Sequence, residues 1–123
     1  MSKEFVKSKN ALVVNLYGEI DQYAAAELKG RIDIEIESSL KRNLIFNLEK
    51  VTLMDSSGIG LIVGRYKAVS ALGGVMALCS ASPSVKKMID LSGIGKIIKH
   101  YETVDDADRS FKQIYTSERN ENK

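Results

Sequence analysis

The consecutive residues Met54-Asp55-Ser56-Ser57-Gly58 put a carboxylate, two hydroxyls and a glycine in a row. A helical pattern follows them, so the hydroxyls fall where unsatisfied backbone N–H groups and the positive end of a helix dipole meet. Phosphate is stabilised at such a place, yet serines also cap helices there with no further role. On this tetrapeptide both readings of Ser56 and Ser57 stand. Gly58, Gly60 and Gly64 each cost the following helix about 1 kcal/mol of propensity, which points to close approach by a partner or by the underlying sheet. Asp21 is the other carboxylate of interest. It is the expected N-cap of an earlier helix, and in an α/β sheet the loops after successive strands emerge on one side. That topology would bring Asp21 near Asp55 and Ser57, two carboxylates beside a hydroxyl forming a candidate switch cluster.

Groups for catalysis are scarce. His100 is the only histidine, and on an expected edge strand it reads as a solvated surface residue rather than a general base. A serine hydrolase built on Ser57 would lack both a G-x-S-x-G elbow and a placed histidine. The phosphate-cradling patterns G-x-x-x-x-G-K-[ST] and G-x-G-x-x-G are absent, and Gly58-Ile59-Gly60 and Gly93-Ile94-Gly95 are only fragments of them. Cys79 and His100 offer no ligand pair at fixed spacing, so neither a metal nor an organic cofactor is expected. Cys79 is the only cysteine and lies in an apolar run, which excludes an intrachain disulfide and fits a reduced, cytoplasmic compartment. Residues 1–10 carry three lysines and no apolar stretch of signal-peptide length. The expectation is a binding module and not an enzyme.

The elements that would position these groups follow from the apolar pattern. Residues 4–10 and 11–17 read as two strands joined at Lys9-Asn10. After Gly18, apolar residues recur every fourth position at Ala24, Leu28, Ile32, Ile36 and Leu40, an amphipathic helix capped by Asp21. Residues 43–49 form a short apolar run expected at the sheet centre, and 51–54 a connection leading to Asp55. The second helix presents Ile59, Ile62, Val63, Tyr66 and Val69 on one side and ends at Gly73-Gly74. Residues 75–79 are another buried strand. Ser82-Pro83 then opens a third helix with Val85, Met88 and Ile89 inward, stopping near Gly93. A short strand over 97–101 and a fourth helix capped near Thr103 and continuing through Phe111 and Ile114 complete the pattern. Strands alternating with helices after an opening hairpin specify an α/β domain with a mixed, mostly parallel sheet of about five strands and about four helices.

Length and charge set the outer limits. A chain of 123 residues is one domain, and 44% hydrophobic residues suffice for a core without staples. A formal charge of +2, spread along the chain, leaves no electrostatic footprint for nucleic acid or anionic lipid. No run approaches the roughly 20 apolar residues of a membrane helix.

The motifs Gly18-Glu19-Ile20-Asp21, Asn47-Leu48-Glu49, Met54 to Gly60, Gly64-Arg65-Tyr66-Lys67 and Gly73-Gly74 together resemble the STAS-domain anti-sigma factor antagonists. Ser82-Pro83-Ser84-Val85-Lys86, Asp90 to Gly93 and Lys96-Ile97-Ile98 continue the likeness, which covers about residues 4–115. The D-S-S-G and G-R-Y-K combination is similar to the sporulation anti-anti-sigma factors more than to the general-stress branch, which remains the alternative. The resemblance implies one STAS domain over residues 1–115, and residues 116–123, entirely polar and without a core to join, are expected to form a frayed tail. It also implies that Ser57 is phosphorylated by an anti-sigma factor acting as a serine kinase. In that reading the unmodified form binds this kinase and releases a sporulation sigma factor, phosphorylation inactivates it, and a PP2C-type phosphatase reactivates it. Asp21, Asp55, Ser56 and Gly58 match family positions around the phosphorylated serine. Gln22-Tyr23-Ala24 departs from the sporulation pattern of histidines and a threonine.

Overall fold

The computed structural model describes residues 3–121, with side chains over 3–112. Strands β1 (Lys3–Lys7), β2 (Leu12–Ile20), β3 (Leu44–Met54), β4 (Met76–Cys79) and β5 (Lys99–Tyr101) form one sheet whose spatial order repeats their order in the chain. β1 and β2 pair antiparallel, and every later pair is parallel. Helices α1 (Gln22–Ser39), α2 (Ser56–Ala71), α3 (Pro83–Ser92) and α4 (Val104–Glu121) connect or follow the strands, and a 3-10 turn at Ile94–Lys96 precedes β5. This is the expected α/β architecture of five strands and four helices. The expectation of a frayed tail over 116–123 falls beyond the described side chains.

Alternation along the strands divides the core between two faces. Leu12, Val14 and Leu16 of β2, Leu44, Phe46 and Leu48 of β3, and Met76 and Leu78 of β4 point to the face covered by α1, α2 and α3. Val13, Ile45, Ala77 and Cys79 point the other way, onto Ala107 and Phe111 of α4. Leu28, Ile32 and Ile36 carry the buried stripe of α1, each worth about 1.5–3 kcal/mol when fully removed from water. Leu40, expected to extend that stripe, is 88% exposed and left-handed at φ 61°, because the helix has ended before it.

β3 is central, as expected, but longer than the apolar run that announces it. Residues 51–54, read as a connection, continue the strand because β3 carries an extra residue relative to β2 at two register shifts. Leu48, Val51 and Met54 are consequently buried at intervals of three, a spacing that neither strand nor helix periodicity predicts. Gly18 of β2 lies between these shifts with φ +75°, a conformation a side chain would strain, and the strand runs through it to Ile20. β1 ends at Lys7, earlier than expected, and Ser8 closes the turn through its N–H to Ala11 O at 2.9 Å.

The end of the sheet where the parallel strands begin is tied by polar side chains. Buried Asn43 donates to Asn10 O and accepts from Val75 N–H, both at 2.9 Å. Asp108 of α4 accepts from Ser8 Oγ at 2.5 Å and from Asn10 N–H at 2.9 Å. These bonds hold one end of the sheet and leave the opposite end free to present the loops.

Candidate functional site

The site lies where β2 and β3 end. Ile20 and Met54 are register partners, and the Asp55 N–H donates to Ile20 O at 3.4 Å. Asp21 and Asp55 each follow one of these paired residues, so the strand register delivers the proximity the topology implied. Both cap a helix from extended backbone. Asp21 Oδ1 accepts from Ala24 N–H at 2.9 Å, and Asp55 Oδ1 accepts from Ser57 N–H at 2.8 Å. Ser56 is exposed and Ser57 half-buried, the two opening residues of α2.

Asp55 changes the expected electrostatics of this helix start. The Ser57 N–H is taken by the Asp55 carboxylate, and the Gly58 and Ile59 N–H groups donate to Asp55 O at 3.1 and 3.3 Å. The first turn is thus already satisfied and faces an anion of its own, rather than waiting open for phosphate. A phosphoryl group on Ser57 would meet that carboxylate at close range. At about 4 Å, each unit pair of like charges costs about 1 kcal/mol in water and about 4 kcal/mol where solvent is partly excluded.

The three glycines of α2 part company. A Cβ on Gly58 would stand 2.3 Å from Met54 Cγ and 3.2 Å from Ile20 Cγ2, so this position holds the helix start against the two strand ends. Around Gly60 and Gly64 there is open space. Of the two explanations the sequence offered, close approach by the underlying sheet therefore does not apply to them. They line a cavity of about 290 Å³ between α1 and α2, with Ala25 and Ala26 opposite. The buried face of α2 is formed by Gly58, Leu61, Ile62, Arg65 and Val69, while Ile59, Val63 and Tyr66 pack at its margin.

Arg65 was missed as a buried residue because a cation in an apolar stripe reads as exposed. It is 7% exposed and forms an ion pair with Asp33, which joins α2 to α1. Burial lowers its pKa, and its Nε has no partner among the described residues. Two further residues flank the site without having been singled out for it. Tyr23, in the first turn of α1, is 79% exposed, and Leu53, beside the end of β3, is 56% exposed. Tyr23 had a signal, its place two residues after the cap.

The remaining titratable candidates lie elsewhere. His100 is half-buried rather than solvated, and its Nε2 accepts from Ala81 N–H at 3.1 Å. It stands on β5, two strands from β3, so it does not join Ser57. Cys79 is buried on the α4 face, where burial first and then the charge of Glu49 push its thiol up to about 11 against a bond from Ser80. Among the described residues, no three His, Cys, Asp or Glu side chains gather as a metal site, and no helix is long and apolar enough to cross a membrane.

Comparison with known proteins agrees with this geometry. The STAS domain family model matches residues 2–107. The anti-sigma F factor antagonist of Paenibacillus polymyxa is 34% identical over 99 residues, covering 80% of this chain and 85% of its own. The anti-sigma-B factor antagonist of Bacillus subtilis (strain 168) is 34% identical over 92 residues, covering 75% and 83%. Among solved structures, the anti-sigma factor antagonist SpoIIAA matches in its unphosphorylated form with TM-score 0.75 and 29% identity, over 88% of this chain and 95% of that one. The Bacillus cell fate determinant SpoIIAA in its phosphorylated form matches with TM-score 0.68 and 28% identity, over 88% and 98%. With the family model spanning most of the chain and relatives covering three quarters of it or more, the chain belongs to the STAS-domain anti-sigma factor antagonists.

Proposed function

We propose that this antagonist is switched by phosphorylation of Ser57 and works in the sporulation branch of the family. The unmodified chain binds an anti-sigma factor that is also a serine kinase, and so frees a sporulation sigma factor. Transfer of a phosphoryl group to Ser57 ends that binding, and a PP2C-type phosphatase restores it. The observation that carries the reading is the placement of Ser57 at the start of α2, directly behind Asp55 and beside the end of β2 that leads to Asp21. Support also comes from SpoIIAA, whose solved forms are named unphosphorylated and phosphorylated.

The chemistry fits a surface switch. A phosphoryl group adds a charge of about −1.5 to −2. Asp55 already occupies the cap, so the added charge is pushed outward toward the partner surface or displaces the carboxylate from the Ser57 N–H. Either way a partner shaped for the unmodified start of α2 must desolvate new charge, and a cost of a few kcal/mol weakens binding a hundredfold or more. The groove lined by Gly60 and Gly64, and the exposed side chains of Tyr23 and Leu53, belong to the proposed contact surface. In this reading the protein is a cytoplasmic binding module, inserted in no membrane and touching no nucleic acid directly.

The test is incubation with the sporulation anti-sigma factor kinase and ATP. One added phosphoryl mass that maps to Ser57, and its loss in Ser57→Ala, are expected. Labelling at Ser56, or undiminished labelling of Ser57→Ala, overturns the assignment. The anti-sigma-B antagonist of Bacillus subtilis keeps a general-stress pathway as the second reading. Selective capture of a general-stress anti-sigma factor by the unmodified chain would favour it.

A further inference from the structure

A cavity of about 300 Å³ lies away from the switch, between α3, the 3-10 turn and β5. Lys86 and Asp90 of α3, Lys96 and Gly95 of the turn, and Lys99 and His100 of β5 line it. Three lysines against one aspartate give this pocket a formal +2, as much as the whole chain carries. Lys86 is held by Asp90 at 2.8 Å, whereas Lys96 and Lys99 have no acidic partner among the described residues. The turn that gathers them is built by Gly93, left-handed at φ +81°, which reverses the chain after α3 and brings Lys96 back toward it. Gly95 keeps the backbone open to the cavity, since a Cβ there would meet only Asp90 Oδ1 at 3.8 Å. The fragment Gly93-Ile94-Gly95-Lys96, which has no part in the Ser57 switch, thus belongs to a second feature.

His100 adds a donor. Its Nε2 accepts from Ala81 N–H, so the neutral ring carries its proton on Nδ1. Three lysines and the His100 ring line one hollow against a single aspartate, which already holds Lys86, and this excess of positive charge favours an anion. The hollow has room for a phosphate or diphosphate group. We propose that this cavity binds a phosphate-type oxyanion, held by Lys96 and Lys99, steadied by Lys86 and in contact with the ring of His100. Phosphate suits it better than a monocarboxylate because its charge can be shared among several ammonium groups at once.

His100 is the chain's only histidine, so its ring resonances report on the pocket without ambiguity. Burial and Lys86 hold its pKa below the ordinary value, opposed by Glu102 and Asp90, and Lys96 and Lys99 also line its surroundings. A bound anion favours the imidazolium and moves the titration upward. The experiment follows the His100 ring of the full chain by NMR across pH, in inorganic phosphate, in diphosphate, and in sodium chloride at matched ionic strength. A midpoint about half a unit or more higher in phosphate or diphosphate than in chloride, reached saturably, is expected. Replacing both exposed lysines, as Lys96→Gln with Lys99→Gln, should weaken the response about tenfold or more, while Lys7→Gln on β1 leaves it intact. A stronger response to diphosphate assigns a polyphosphate ligand, and a stronger response to phosphate a single phosphoryl group. A midpoint that moves no further than in chloride, or an equal loss in Lys7→Gln, overturns the proposal.

Discussion

Asp21 and Asp55 perform the same mechanical task, each accepting one first-turn N–H from extended backbone, and this makes their other roles separable by substitution. Asparagine keeps a capping oxygen and removes the charge, so Asp21→Asn should cost less than about 0.5 kcal/mol. Its melting temperature should stay near that of the parent while partner binding or phosphorylation of Ser57 falls; equal binding and turnover would leave Asp21 a cap and nothing more. Asp21 was legible as a cap because its type and position suffice, whereas at α2 the sequence offered Ser56 and Ser57 as caps and the structure gives that task to Asp55. Arg65 and Tyr23 were not legible in the same way. The depth of Arg65 depends on Asp33, thirty-two residues earlier on another helix, and the exposure of Tyr23 depends on which side of α1 meets the sheet. Such facts belong to pairs of elements, and the only local trace is the place of Tyr23 two residues after the Asp21 cap.

Helix α2 illustrates how one residue type serves opposite ends along a single element. Alanine at Gly58 would add about 1 kcal/mol of helix propensity but force a methyl into Met54 and Ile20, and overpacking of this kind costs about 1–3 kcal/mol. Alanine at Gly64 meets nothing and keeps the propensity gain. Gly58→Ala should therefore lower thermal stability, and Gly64→Ala should raise it by about 0.5–1 kcal/mol, both read by melting curves. A Gly58→Ala protein as stable as the parent would mean that Met54 is free to move aside. The starts of α1, α2 and α3 were readable from Asp21, the Asp55-Ser56-Ser57-Gly58 run and Ser82, since helix starts are local chemistry. The far half of β3 was not, because its register shifts are set by pairing with β2 and turn the buried spacing into threes. The 3-10 turn escaped for the same reason, being defined by Gly93's backbone and not by an apolar period.

Taken as a whole, the molecule separates a switch at one end of the sheet from a clasp at the other. Phosphorylation should accordingly act locally. Amide NMR shifts between the two states are expected at the starts of α1 and α2, and widespread changes around Phe46 and Met76 would show a conformational switch instead. Stability should also carry a histidine signature. Burial and Lys86 depress the pKa of His100, so between that lowered value and about 6.5 the unfolded chain binds more protons than the folded one. Stability is then lost as pH falls through this window and is level above it. Melting curves from about pH 5 to about pH 8, recorded without phosphate, should show that slope in the parent and a shallower one in His100→Gln. The strand order carries a consequence for synthesis. Because each strand lies next to the one made just before it, a chain leaving the ribosome never has to hold a place open for a later strand. The paired ends of β2 and β3, with Ser57 just beyond them, can assemble while the second half is still being translated. What arrives last is α4, whose Asp108 reaches back about one hundred residues to Ser8 and Asn10 and whose Phe111 covers Val13 and Ile45. A nascent chain would thus hold Ser57 in place before its second apolar face is shielded, and α4 is the step that covers Val13 and Ile45.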